Sequence, residues 1–201
     1  MHRILKPAAG SGRALFGVCR VLGIVFASGV AVLSTAAQPA HSPTPSELEA
    51  VYLYNFVKFV TWPSEATPQS ASFAICTLGS DDFNGALDAA ASNEPTPGRK
   101  VVVRHLPSIA EAEGCHILFL AASEDARLGK DLTAIKGKPI LTVSSAPDFL
   151  DRGGMIQFLV EESRVRFSID LAPATESHLT VSSELLKLAV AVQGKPVEEA
   201  K

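Results

Sequence analysis

The chain has 201 residues, 47% of them hydrophobic and 19% charged, with a formal net charge of −3. Those figures exclude a disordered, collagenous or coiled-coil chain and fit one soluble globular domain.

Arg3, Lys6, Arg13 and Arg20 precede an apolar run from Val21 to Leu33, which ends in the small residues Ser34, Thr35, Ala36 and Ala37. This is the layout of a secretory signal peptide. The run of about 13 residues falls short of the roughly 20 that cross a bilayer as a helix. Residues 1–37 therefore read as an export signal, cleaved after Ala36, Ala37 or Ala40. The mature chain, residues 38–201, keeps all 21 acidic but only 14 of the 18 basic residues, a net charge of −7. That balance argues against nucleic acid and anionic lipid as partners. Cys19 leaves with the signal, and Cys76 and Cys115 enter an oxidising compartment. A disulfide between them is the natural expectation, with two buried free thiols as the alternative. Closing that loop of about 39 residues would be worth ~4 kcal/mol if strain is small.

In the mature chain, His41 to Pro45 is a short polar arm. Thr44, Pro45 and Glu47 fall at the cap, first and third positions of a helix, a capping box with proline where its missing N–H costs nothing. The helix is expected to reach about Thr61, since Pro63 disfavours helical geometry at Trp62. Val51, Tyr52, Leu53, Tyr54, Phe56, Val57, Phe59 and Val60 make it apolar nearly all round, so more than one face needs cover. Phe73 to Leu78 reads as a buried strand ended by Gly79, followed by a helix from Asp82 to Ala91. A strand is expected over Val101 to Arg104, a short helix over Ser108 to Glu113 and a strand over Cys115 to Leu120. Ser123 opens another helix, Gly137 closes it, and Ile140 to Val143 is a further strand. This alternation predicts an α/β fold, a single domain whose largely parallel sheet carries helices on both faces. Met155 to Val160 and Arg164 to Ile169, joined by Glu161, Glu162 and Ser163, predict an antiparallel edge hairpin. Ser182, Ser183 and Glu184 start a last helix, running through Leu185, Leu186, Leu188, Ala189 and Val192.

Enzyme signatures are missing: there is no Walker loop, G-x-G-x-x-G turn, G-x-S-x-G elbow or His-x-x-x-His pair. His105, His116 and His178 lack matching ligand spacing, so no metal site and no cofactor are expected. Asp81 and Asp82 fit a helix start better than a catalytic pair. Gly153 and Gly154 permit a tight turn or a close backbone approach ahead of a strand. Arg152, Arg164 and Arg166 are candidates for an anion or ligand site, although exposed charge on an edge strand also discourages strand pairing.

Tyr52-Leu-Tyr-Asn-Phe-Val-Lys-Phe-Val-Thr-Trp-Pro63, Ile75-Cys-Thr-Leu-Gly79, Cys115-His-Ile-Leu-Phe119, Leu141-Thr-Val143, Gly153-Gly-Met-Ile156, Arg166-Phe-Ser-Ile-Asp170 and Ser182-Ser-Glu-Leu-Leu186 together resemble the YfiR family of periplasmic proteins. The match covers roughly Glu47 to Ala191. The resemblance implies a non-enzymatic α/β regulator that holds an inner-membrane diguanylate cyclase inactive through its periplasmic part, so controlling cyclic di-GMP and biofilm formation. It also implies a pairing of Cys76 with Cys115. The chain departs from the family with Asp170 where asparagine is usual, Ser145 where aspartate often stands and His178 where glycine is common. An alternative function is a periplasmic small-molecule-binding subunit serving a histidine kinase or a transport system, since a parallel sheet offers a crevice at its strand ends. The partner surface expected from the aromatic excess is Tyr54 and Lys58 on the first helix with Ile169, Leu171 and Leu179 near the last strands. A homodimer is a further expected use of apolar surface.

Overall fold

Thr44 caps the first helix as the capping box requires: the Glu47 amide donates to Thr44 Oγ1 at 3.2 Å and the Thr44 amide to Glu47 Oε2 at 2.7 Å. The computed structural model describes residues 42–67, 72–80, 83, 85–93 and 100–194; residues 1–37, read above as an export signal, and Asp81 and Asp82 lie outside them. Helix α1 is Pro45–Phe59. It stops two residues earlier than expected because Val60 is already extended, and strand β1 (Val60–Thr61) pairs antiparallel with β8 (Thr180–Val181).

The main sheet has seven strands in the order β3-β2-β4-β5-β6-β7-β9. Strands β2 (Phe73–Leu78), β3 (Val101–Leu106), β4 (Ile117–Leu120), β5 (Leu141–Ser144) and β6 (Ile156–Glu161) pair in parallel. β7 (Arg164–Asp170) runs antiparallel to β6, and β9 (Ala191–Gln193) runs parallel to β7. The expected antiparallel hairpin is present near this end of the sheet, but the three-residue β9 and not β7 forms the edge. That strand corrects the expected last helix, for α5 covers only Ser183–Leu188 and the chain is extended from Ala189 onward.

All six residues of β2 are buried because both sheet faces are covered. Phe73 and Ile75 join a cluster with α1 and Phe83 and Leu87 beside helix α2 (Ala86–Asn93), while Ala74, Cys76 and Leu78 join Leu128 and Leu132 of helix α3 (Leu128–Ala134). A strand buried on both faces reads as an unbroken apolar run rather than an alternation. The remaining helix, α4 (Leu171–Glu176), is capped by Asp170, whose side chain accepts from the Ala172 amide. Gly153 and Gly154 serve both of the purposes their position suggests. Gly153 turns at φ +94°, and a Cβ on Gly154 would lie 2.2 Å from the Phe149 ring.

Cys76 and Cys115 form a disulfide, with Cα atoms 5.9 Å apart. The sheet register sets Cys76 opposite Leu118, three residues past Cys115. In-line extension of β4 would therefore leave Cys115 too far along the sheet. The chain instead enters β4 from a turn in which the Cys115 amide donates to the Ala112 carbonyl, and this brings Cys115 into the α3-side cluster with Cys76. Titration of the unfolded, unreduced mature protein is expected to find no free thiol. Cys76→Ser is expected to cost about 4 kcal/mol, measured by denaturant unfolding.

Tyr54, placed by the sequence reading on a partner surface, is 1% exposed in the core beneath α1. Replacing it with alanine is expected to remove about 3 kcal/mol of stability. In a domain of this size that lowers the circular dichroism melting temperature by roughly 6–12 °C.

Candidate functional site

Of the five residues expected to face a partner, four are interior. Tyr54, Ile169, Leu171 and Leu179 are buried in the same cluster. The physical reason is that α1 is covered twice. Tyr52 and Phe56 pack on Phe158 and Phe167 of the β6-β7 hairpin with ring centroids 5.5–6.1 Å apart. On its other side α1 meets α2 through the cluster that holds Phe83 and Leu87. Lys58 is exposed as expected; its Nζ donates to Asn55 Oδ1 at 2.9 Å and lies 5.4 Å from the Tyr54 ring centroid.

The three arginines do not converge. Arg152 precedes β6 and is tied to Asp125 through the carboxylate at 2.5 Å and the carbonyl at 2.7 Å. Arg164 faces Glu161 across the far end of the hairpin, roughly 16 Å along the strand. Arg166 is exposed, 4.0 Å from the Glu161 carboxylate. Arg152 does line a cavity of about 380 Å³ between α3 and α4, floored by Thr142 and Met155 and bridged by an ion pair of Lys136 and Glu176 at 3.3 Å.

Each departure from the family pattern has a local structural role. Ser145 donates to the carboxylate of Glu49 at 2.9 Å, a buried group that an aspartate there would repel. His178 has φ +57°, in the left-handed region where a glycine would be free of strain. Asp170 caps α4 and also accepts from Gln193 Nε2 at 3.2 Å. His105 shares a 2.8 Å hydrogen bond with Thr77 Oγ1 and lies 3.5 Å from Asp88. Among the described residues no three His, Cys, Asp or Glu side chains are grouped to hold a metal ion.

The exposed apolar surface lies elsewhere. The large exposed hydrophobic residues are Val51, Val160, Leu188, Val190 and Val192, and the last three form one short C-terminal stretch. The Val190 amide donates to the Phe167 carbonyl at 2.9 Å, so this stretch is anchored to β7 along one edge. Among the described residues no strand pairs with the other edge of β9. Leu188, at the end of α5, is 63% exposed. The stretch escaped sequence reading because Leu185, Leu188, Ala189 and Val192 mimic helical spacing. The β-branched alternation of Val190 and Val192, followed by Gly194, is the signal that marks a strand.

No curated protein matches the chain. A solved structure described as a conserved domain protein from Vibrio cholerae O1 biovar eltor matches with a TM-score of 0.53 at 11% identity, over 75% of this chain and 60% of that one. Another, described as the ABC domain in complex with L-Trp from Streptococcus pneumonia, gives 0.49 at 15% identity over 74% of this chain and 60% of that one. The chain spans less than two thirds of either protein, and the first likeness concerns the fold alone. The family model described as YfiR/HmsC-like matches residues 46–190, and the protein belongs to that family.

Proposed function

We propose that this protein binds the periplasmic part of an inner-membrane diguanylate cyclase and holds the enzyme inactive. The observation that carries the reading is the exposed apolar stretch Leu188, Val190 and Val192, which leads from α5 into β9, a strand with an open edge among the described residues. Contiguous exposed apolar surface marks interaction sites, and an open edge offers main-chain hydrogen bonds to an extended partner segment. Repression needs no chemistry in this chain, only a binding energy that differs between two states of the cyclase. Export suits that partner, and the mature protein is proposed to begin between Ala37 and His41. Intact-mass measurement of the periplasmic fraction checks this; full-length chain in the membrane pellet would refute it.

A membrane cyclase encoded beside this gene is the natural partner for a co-purification test. Leu188→Asp is expected to weaken co-purification at least tenfold, about 1.4 kcal/mol, and to raise cyclic di-GMP with an unchanged melt. Intact repression by a folded Leu188→Asp variant would remove this edge from the interface. Self-association that vanishes with the same substitution would assign the edge to a homodimer.

The second reading, a small-molecule-binding subunit for a kinase or transport system, draws support from the cavity between α3 and α4. Its volume lies within the range of small-ligand pockets, and Arg152 on its wall is the candidate contact for an anionic group.

A further inference from the structure

His116 stands at the amino end of β4 and is 7% exposed. Its ring stacks on Phe73, with centroids 4.3 Å apart, and meets Trp62 edge-on at 6.4 Å. The hydrogen-bond partners of the ring fix its protonation state. The Ala74 amide lies 3.0 Å from Nδ1; an amide N–H only donates, so Nδ1 holds a lone pair. Nε2 lies 2.9 Å from the Ala66 carbonyl oxygen, which only accepts, so Nε2 carries the proton. The imidazole is therefore neutral. A proton on Nδ1 would set two donors against each other and strand the buried Ala74 amide, the costlier kind of hydrogen-bond loss.

Through Ala66 the ring grips the loop that follows β1. That loop is folded on itself, with the Ala66 amide donating to the Pro63 carbonyl at 3.0 Å and Thr67 to Ser64 at 3.3 Å. At its start, Trp62 Nε1 donates to the carbonyl of His116 at 3.1 Å. One residue thus fastens the loop at two points, by its main chain and by its side chain. The loop in turn walls a recess of about 550 Å³ together with Glu113, Lys138 and Cys115.

We propose that His116 is a pH-sensitive latch: the neutral ring pins residues 63–67 to the sheet, and protonation releases them and opens the recess. Among the described residues, the charged groups that line the recess with the ring are Glu65 from the loop, Glu113 from the turn before β4 and Lys138 from the loop before β5. All three are exposed, so their fields on the ring are weakened by solvent and salt. They offer no acceptor at Nδ1, which the Ala74 amide occupies. The sign follows from proton counts. The pinned state binds one proton fewer than the released state, so pinning is full above the ordinary histidine range near 6.5. As pH falls below the midpoint, pinning is lost about tenfold per unit.

Trp62 is the sole tryptophan and reports on the latch directly. Its fluorescence in the mature protein, followed from pH 8 to 4.5, is expected to show a one-proton transition centred below about 6.5. His116→Asn is expected to abolish the transition, because its Oδ1 accepts from Ala74 without titrating, whereas His105→Asn and His178→Asn are expected to keep it. A transition that persists in folded His116→Asn would overturn the proposal. If that variant does not fold, ring ¹⁵N resonances of the unmodified protein decide. A neutral Nε2–H ring at pH 7.5 that gains a proton together with the Trp62 change supports the latch; a ring protonated at Nδ1 at pH 7.5 refutes it.

Discussion

Burial of both faces of β2 and β4 is the constraint on which the rest of this structure depends. Their ten residues are all buried, so neither face can be left to water. One face receives α1 and α2, rich in large side chains: Tyr54, Phe56, Phe83 and Leu87. The other receives the seven-residue α3 and two 3₁₀ turns, a thinner cover made of Leu128, Leu132, Ala112 and neighbours. The disulfide lies on this thinner side. Its effect comes from narrowing the unfolded ensemble and scales with the loop it closes, whichever face it lies on.

How much of this was legible in the sequence depends on how each element announces itself. Apolar runs such as Phe73 to Leu78 and Ile117 to Leu120 are legible as strands because nothing charged interrupts them, and Thr44 with Glu47 fixes a helix start through its own hydrogen bonds. The two-residue strands β1 and β8 have no pattern to read; they exist only because the chain brings Val60 and Val181 together. Helix α4 is equally hidden, since Leu-Ala-Pro-Ala-Thr-Glu has a proline inside it and only Asp170 as a starting signal. Beyond Leu188 the sequence misleads, because apolar residues spaced three and four apart satisfy a helix while tertiary pairing with β7 demands a strand.

The misplacement of the partner surface has the same origin. Aromatic content in a helix states how much area must be buried, but not by what. Here the hairpin extends the sheet far enough for Phe158 and Phe167 to receive Tyr52 and Phe56, and α2 closes the other flank. The aromatic excess is absorbed within the chain. The exposed apolar area is carried by scattered aliphatic side chains, three of them between the end of α5 and β9, too modest in composition to stand out.

Beyond its pairing with β7, strand β9 is held by the side chain of Asp170. Asp170 ends β7, caps α4 through the Ala172 amide and accepts from Gln193 at the end of β9. Gly194 then packs so closely that a Cβ would lie 2.6 Å from Asp170 Oδ1 and from the Ala172 nitrogen. A carboxylate accepts at both oxygens without choosing an orientation, whereas an asparagine in the same place would have to aim its single oxygen at the helix cap. The departure at Asp170 therefore bears on the edge proposed above for docking, through the bonds it makes to α4 and to Gln193. It fixes β9 against β7 and α4 while the outer edge of β9 stays open, which is the division of labour a strand-docking surface needs: one rigid side held by its own chain and one side available to another.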